Sequence, residues 1–129
     1  MKAFSGAVFM SRQITPLDAC NEVLAINDSI RFVGRIKNRK LIAFARHQGK
    51  KPLLDAELGN LAHYYASVKA SMEEMFDGPL GKTNWMITAK ENVKLVTLFL
   101  DDGLLIFSID VEANHDEIIK KIQSLNIQL

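Results

Sequence analysis

One periodic stripe constrains the fold of this chain more than any other feature. Between residues 54 and 75, apolar side chains recur at intervals of 4, 3, 4, 3, 4 and 3, which is the spacing of one face of an α-helix. The stripe consists of Leu54, Leu58, Leu61, Tyr65, Val68, Met72 and Met75. Asp55 is the expected N-cap, and Gly78 followed by Pro79 is the expected stop. The pattern predicts a helix from about 56 to 76, roughly 30 Å long at 1.5 Å per residue.

A stripe of this kind usually packs in the core, but a helix of roughly 30 Å can be too long for one small sheet to cover. Apolar surface that the sheet leaves uncovered has to be buried by a second subunit, so we predict a homodimer. The alternative use of the stripe is a wall of a hydrophobic ligand site. Met72, Met75, Met86 and Trp85 are adaptable or large groups that suit either use.

The segments around this helix have the alternation of β-strands. "IRFVGRIK" and "LIAFAR" predict a β-hairpin over residues 30–46, with Asn38-Arg39 at its turn. After the helix, three further strands are predicted, with breaks at Glu91-Asn92 and at Asp101-Asp102-Gly103. Their sequences are "TNWMITAK", "VKLVTLFL" and "LLIFSIDV".

Two shorter helices complete the predicted elements. The first runs from about 16 to 27, with Thr15 as its N-cap and Pro16 at its first position. The second is "NHDEIIKKIQSL", where Asn114 is the cap and Glu117 lies three residues on, as in a capping box. The order is therefore α-β-β-α-β-β-β-α. It predicts an α+β fold in which a five-stranded antiparallel sheet has the long helix on one face and the two shorter helices on the other.

The chain is predicted to hold one domain, over residues 15–129, because it has no linker-like tract and no internal repeat. Residues 1–14 are predicted to be an N-terminal extension and to be disordered. The start does not have the pattern of a secretion signal, and no apolar run approaches the roughly 20 residues that cross a bilayer. A single cysteine, Cys20, excludes an internal disulfide and fits a reducing compartment. We expect a cytoplasmic protein without membrane association.

The order of elements resembles the profilin-like group, which includes roadblock and longin domains. Five segments also resemble a family of short uncharacterised archaeal proteins, over about residues 17 to 122. These segments are "VLAINDSIRFVGRIKN", "KKPLLD", "FDGPLGK", "LVTLFLDDGLLIFS" and "NHDEIIKKI". The resemblance implies the same fold in a free-standing cytoplasmic protein, and it brings no catalytic or binding residue. Roadblock proteins are, as a class, non-enzymatic dimers that hold small GTPases and other partners.

Charge is concentrated in one segment of a nearly neutral chain. Residues 31–51 carry eight basic side chains and no acidic one, although the formal net charge of the whole chain is +1. The residues predicted to bind a ligand or a partner come from this segment: Arg31, Arg35, Arg46, Lys50 and Lys51. Three interpretations are open.

The first is that the arginines pair with strand carboxylates such as Asp110 or Glu112 while the lysines at the turn are solvated. The second is a docking surface for an acidic protein. The third is a nucleic-acid surface, which we disfavour because the hairpin has only Phe32 and Phe44 for base stacking, and both are predicted to face inward.

No segment has the spacing of a catalytic, metal or cofactor motif. The chain lacks HExxH, CxxC and both common glycine-rich phosphate loops. His47, His63 and His115 lie on separate predicted elements, and Cys20 falls on the buried stripe of the first helix. We therefore predict no cofactor, no metal and no enzymatic activity.

The function that the sequence favours is a non-enzymatic regulatory or scaffolding module that binds proteins. An acidic protein or, by fold analogy, a small GTPase is the expected partner, in addition to a second copy of the chain. The alternative is a sensor of the GAF or PAS kind, in which Arg31 or Arg35 holds an anionic ligand between the sheet and the long helix.

Overall fold

The computed structural model describes residues 12–125 and 127–128, and a five-stranded antiparallel sheet forms its centre. The strands are β1 (Arg12–Gln13), β2 (Ile30–Lys37), β3 (Lys40–Arg46), β4 (Trp85–Ala89), β5 (Lys94–Leu100), β6 (Gly103–Ile109) and β7 (Ile127–Gln128). The helices are α1 (Pro16–Leu24), α2 (Ala56–Glu74), α3 (Asp77–Leu80) and α4 (His115–Ser124). Strands β2 to β6 form the sheet in the order β3-β2-β6-β5-β4. The predicted fold class and order of elements are confirmed.

The first and last strands form a separate pair. β1 and β7 lie parallel to each other, with Arg12 opposite Ile127 and Gln13 opposite Gln128. Residues 12 and 13 of the predicted disordered extension therefore belong to a short strand. Residues 1–11 of that extension lie outside the described residues. Among the described helices, none combines the length and the apolar character that a membrane span needs.

The predicted helix starts are confirmed by their caps. The Thr15 hydroxyl accepts a hydrogen bond from the Asp18 amide at 3.1 Å, Asp55 accepts from the Leu58 amide at 2.8 Å, and Asn114 accepts from the Glu117 amide at 3.1 Å. Each cap satisfies one of the amides that a first helical turn leaves without a partner.

Two predicted helix ends were wrong. α1 ends at Leu24, because the chain then turns at Asn27, whose side chain accepts a hydrogen bond from the Ser29 amide at 2.8 Å. Gly78 and Pro79 do not stop α2, which ends at Glu74; both lie inside α3. Proline is tolerated there because the first turn of a helix does not use its N–H groups.

The predicted hairpin over 30–46 is confirmed, including its turn. Asn38 and Arg39 both have positive φ angles, 51° and 65°, the combination that a tight two-residue hairpin needs. β2 lies between β3 and β6, so the basic hairpin includes both an edge strand and an inner strand.

One face of the sheet carries α1 and α4 and holds the larger core. Register and alternation place two rows of side chains on this face. They are Ala45–Val33–Phe107–Val96–Ile87 and Ala43–Arg35–Leu105–Leu98–Trp85. Helix residues Cys20, Val23, Ile118, Ile119 and Ile122 pack on them and are almost completely buried. The amphipathic pattern of α4 therefore gives the packing that the sequence predicts.

The other face of the sheet carries α2 and is covered only in part. Its buried cluster is small and consists of Ile36, Ala70 and Leu104, with Leu41, Phe99 and Ile106 partly buried around it. Only Ser67 and Ala70 of α2 are buried. The helix thus packs on the sheet through its C-terminal half and through small side chains.

The main apolar stripe of α2 is not core, and the interpretation as core was wrong. Six of its seven residues are exposed, from 48% for Leu54 to 77% for Met75, and Val68 is half-buried. At 100° per residue, Leu61, Tyr65 and Met72 lie about 120–160° around the helix from Ser67, on the side away from the sheet. A second stripe, of small residues, faces the sheet: Gly59, Ala62, Ala66, Ser67 and Ala70.

Gly103, at the start of β6, allows two strands to approach each other closely. Its φ is +152°, and a Cβ atom there would lie 2.1 Å from the Ile36 carbonyl oxygen and 2.7 Å from a guanidinium nitrogen of Arg35. Neither contact is possible, because backbone and a buried side chain form both sides of the gap.

Gly103→Ala is therefore expected to lower the free energy of unfolding by about 2–4 kcal/mol, through backbone strain and overpacking. Gly59→Ala is the matched control, since Gly59 is helical and a Cβ there meets nothing within 4 Å. That variant is expected to gain about 0.5–1 kcal/mol. Urea unfolding followed by circular dichroism measures both, and equal midpoints for the two variants would contradict the assignment.

Candidate functional site

A cavity of about 660 Å³ lies between the N-terminal half of α2 and the sheet. Two rows of side chains on the α2 face of the sheet form its floor and edges. They are Arg46–Phe32–Ser108–Leu95 and, in the next row, Ile106–Thr97. Gly59, Ala62, His63 and Ala66 line the cavity from the helix side. Small residues on the inner face of α2 leave the space, because they do not fill the volume between helix and sheet.

Two loops complete the wall. The connection between β3 and α2 contributes Lys50, Lys51, Pro52, Leu53 and Leu54. The turn between β4 and β5 contributes Lys90, Glu91 and Asn92. Five basic side chains and one acidic side chain line the cavity. An apolar interior with a cationic rim is therefore the chemical character of this space.

Arg31 and Lys50 share one carboxylate at the rim. Arg31 Nη1 lies 2.9 Å from Asp110 Oδ1, and Lys50 Nζ lies 2.7 Å from Asp110 Oδ2. Burial by itself raises the pKa of Asp110, but hydrogen bonds from Lys50 and Arg31 outweigh it, and the pKa is lowered. The predicted pairing of an arginine with Asp110 is confirmed. Arg31 also donates to the Lys51 carbonyl oxygen at 2.8 Å, which holds the connection against the sheet.

Arg46 lies over two aromatic rings. Its guanidinium carbon is 5.2 Å from the centre of the Phe32 ring and 5.5 Å from that of Phe44, and the two rings stack 5.9 Å apart. These are cation–π distances. The prediction that Phe44 faces inward was wrong: it is 48% exposed, because α2 does not cover this part of the edge strand. Among the described residues, no carboxylate forms an ion pair with Arg46 or Lys51.

His63 closes the row from the helix side. Its ring stacks on Phe32 with centres 5.3 Å apart and planes inclined by 14°. Burial lowers the pKa of His63, and the nearby charge of Arg46 lowers it further. The imidazole is therefore held neutral between an aromatic ring and a cation.

Arg35 lies on the opposite face of the sheet and does not reach the cavity. It is 3% exposed, and its guanidinium donates to the Ile36 carbonyl oxygen at 2.7 Å and to Asp102 Oδ1. The hydrogen bond from Arg35 is the main cause of the lowered pKa of Asp102. Lys37 adds a second contact to the same carboxylate at 3.5 Å. This arginine ties the β5–β6 turn to β2 inside the fold.

The structure thus separates the predicted binding residues. Arg31, Arg46, Lys50 and Lys51 meet at the cavity, whereas Arg35 is buried elsewhere. The remaining cations of the segment, Lys37, Arg39 and Lys40, are at the turn of the hairpin. That turn is a full strand length from Arg46, roughly 20 Å at 3.3 Å per residue.

The outer face of α2 is the second candidate surface. Its exposed apolar side chains continue beyond the predicted stripe into the neighbouring residues. The additional members are Tyr64 on α2 and Phe76 and Leu80 after it, each more than half exposed. An apolar patch of this extent is uncommon on a protein that acts as a monomer.

Other reactive groups of the described residues form no site. Burial raises the pKa of the Cys20 thiol to about 11, although Arg35 acts in the opposite direction, so the thiol stays protonated. Within the described ranges, no group of three or more His, Cys, Asp or Glu side chains is arranged to hold a metal ion.

Comparison by sequence identifies no relative: neither a family nor a curated protein matches the chain. Comparison by structure does. A roadblock/LC7 domain from Streptomyces avermitilis superposes with a TM-score of 0.68 and 10% identity, over 84% of this chain and 89% of that one. This chain has the roadblock fold.

Two further structures support the same assignment of fold. Myxococcus xanthus MglB superposes with a TM-score of 0.68 and 10% identity, over 85% of this chain and 87% of that one. An MglB with a tetrameric arrangement gives a TM-score of 0.60 and 18% identity, over 86% and 85%. At these identities the likeness concerns the fold alone.

Sequence reasoning missed the cavity and His63 as part of its wall. A signal for both was present, since Gly59, Ala62, Ala66 and Ala70 recur at helical spacing on the side opposite the large apolar stripe. Two stripes on one helix indicate two different contacts. The prediction assigned the stripe of large residues to the packed face of the helix, although the stripe of small residues marks the face that touches the sheet.

The low pKa of His63 makes stability depend on pH. The unfolded chain takes up a proton as the pH falls through the ordinary value of 6.5, whereas folded His63 does not. The contribution of neutral His63 to stability is therefore fully present above pH 6.5 and decreases below it. In urea unfolding at pH 7.5 and 5.5, His63→Gln is expected to lose less stability than the unchanged protein. Equal losses would show that His63 does not titrate differently in the two states.

Proposed function

We propose that this protein is a non-enzymatic regulatory or scaffolding module that binds other proteins and works as a homodimer in the cytoplasm. The observation that carries the proposal is the exposed apolar stripe on the outer face of α2. The inner face of this helix lies against the sheet, so the sheet does not cover the stripe. Burying such side chains is the main favourable term in association. The occupant that we propose is a second copy of the chain.

The spacing of the stripe supports a two-fold contact. Residues 58, 61, 65, 68, 72 and 75 recur at 3, 4, 3, 4 and 3, so the pattern is the same in both directions along the helix. In an antiparallel pair of α2 helices, Leu58 can lie opposite Met75, Leu61 opposite Met72, and Tyr65 opposite Val68. A two-fold interface needs this property, because the same patch has to complement itself. The tetrameric arrangement of one MglB neighbour further supports assembly through this fold.

A second surface, at the turn of the basic hairpin, supports binding of an acidic partner. Lys37, Arg39 and Lys40 are exposed there, and of the three only Lys37 has an ion pair among the described residues. Exposed cations steer an acidic protein toward a surface and raise its rate of association. An acidic protein, or a small GTPase by analogy with roadblock proteins, is the partner we propose.

Leu61→Asp combined with Met72→Asp tests the dimer. The proposed contact places these residues against each other, so both charges would be buried and the dimer should dissociate into 14.5 kDa monomers. Sedimentation velocity at several concentrations measures the change. Leu17→Asp is the matched control, since Leu17 is 51% exposed but lies on α1. A monomeric unchanged protein, or a double variant that still dimerises, would contradict the proposal.

Arg39→Glu combined with Lys40→Glu tests the partner surface. A cellular protein captured by the unchanged protein should be acidic, and after purification it should bind the double variant at least about tenfold more weakly. Its affinity for the unchanged protein should fall as salt increases. Lys120→Glu and Lys121→Glu, which make the same change of charge on exposed residues of α4, are the control. Equal weakening by both pairs would assign the effect to net charge instead of to the hairpin turn.

A further inference from the structure

The cavity under α2 does not belong to the proposed dimer face. Its walls are the inner side of the helix, the connection before the helix and the sheet. Leu54, the first member of the stripe, lines the cavity, but the residues proposed for the dimer, from Leu58 to Met75, are not among those that line it. A volume of about 660 Å³ is within the range of sites that hold small molecules. The proposed dimer therefore does not explain the cavity, and a bound small molecule could.

The interior of the cavity matches an apolar group. Phe32, Leu95 and Ile106 rise from the sheet, and Ala62 and Ala66 lie opposite them on the helix. The polar side chains of these rows, apart from Arg46 at the rim, are two hydroxyls, of Thr97 and Ser108. The backbone groups of the floor are used by the strand ladders, because sheet hydrogen bonds lie in the plane of the sheet. A sugar, a nucleobase or an extended peptide would leave most of its polar groups unpaired here.

The rim matches an anion. Arg46, Lys50 and Lys51 lie on one side of the opening and Lys90 on the other. Asp110 engages Arg31 and Lys50, but within the described residues Arg46 and Lys51 have no carboxylate partner. The stacked rings of Phe32 and Phe44 hold the guanidinium of Arg46 in place. An anionic group at the opening would therefore meet two cations whose charge is not already paired.

We propose that this cavity binds an amphipathic carboxylate, with its hydrocarbon chain between α2 and the sheet and its carboxylate at Arg46 and Lys51. The planar fork of Arg46 suits a carboxylate, because it can donate two parallel hydrogen bonds. His63 contributes a neutral, flat wall beside the chain. This site differs from the sensor site expected from the sequence, which named Arg31 or Arg35 as the anion-binding residue, since Arg31 is paired with Asp110 and Arg35 is buried on the other face of the sheet.

The probe for a direct test is dodecanoate below its micellar concentration, titrated into the full-length protein by isothermal calorimetry. Dodecyltrimethylammonium, with the same chain and opposite charge, is expected to bind at least about tenfold more weakly. Arg46→Gln with Lys51→Gln should weaken dodecanoate binding about tenfold to a hundredfold, the effect of removing charged hydrogen-bond partners. Arg39→Gln with Lys40→Gln removes the same charge at the far end of the hairpin and should change the affinity less than twofold.

Filling the cavity gives the second arm of the test. Ala66→Phe should abolish dodecanoate binding, and Ala62→Met serves the same purpose if the larger change prevents folding, which circular dichroism detects. Both variants leave the outer stripe unchanged, so sedimentation velocity should still give the oligomeric state of the unchanged protein. Failure of ligand binding is thus distinguishable from failure of the dimer.

Three results with dodecanoate would overturn the proposal. They are absence of dodecanoate binding to the unchanged protein, equal affinity of the Arg46/Lys51 and Arg39/Lys40 variants, and binding that persists in a folded, cavity-filled variant. Equal binding of the cationic amphiphile would also overturn it, because the rim would then contribute nothing.

Discussion

Helix α2 is the element on which both candidate surfaces depend, because its two faces differ in side-chain size. Ser67 and Ala70 let the C-terminal half approach the sheet, where both are buried and Ala70 packs with Ile36 and Leu104. Large side chains could not do this at the same distance. The same distribution leaves the large apolar groups on the outside and a cavity beneath the N-terminal half. One amphipathic pattern, with its faces reversed from the usual arrangement, thus produces an apolar exterior and an apolar recess.

The elements of the fold could be predicted from local chemistry, and the orientation of α2 could not. Caps at Thr15, Asp55 and Asn114 and the turn at Asn38 depend on a few neighbouring residues, and each was recognisable in the sequence. Which side of a helix meets the sheet depends on the space that the sheet offers. An apolar stripe indicates a face that avoids water, but it does not say whether sheet or partner covers it.

The basic hairpin shows the same distinction for charge. Alternation along β2 separates its side chains by face, but only the register of β6 shows that Arg35 is next to Leu105 and that its guanidinium meets Asp102. Ion pairs formed at sequence distances of 67 and 79 residues have no local signal. Of eight cations in one segment, two are used by Asp110 and two by Asp102. The count of charges therefore overstated the free positive surface.

Because one helix carries both surfaces, its position decides whether the two proposed interactions are linked. A ligand beneath the N-terminal half favours the separation of α2 from the sheet at which the cavity is open. A second copy on the outer face favours the position of α2 in which the apolar stripes of the two copies are in contact. If these positions differ, the ligand changes the dimerisation constant, and dimerisation changes the affinity for the ligand by the same factor. If they coincide, the two equilibria are independent, since a ligand shifts only a balance between states that it binds unequally.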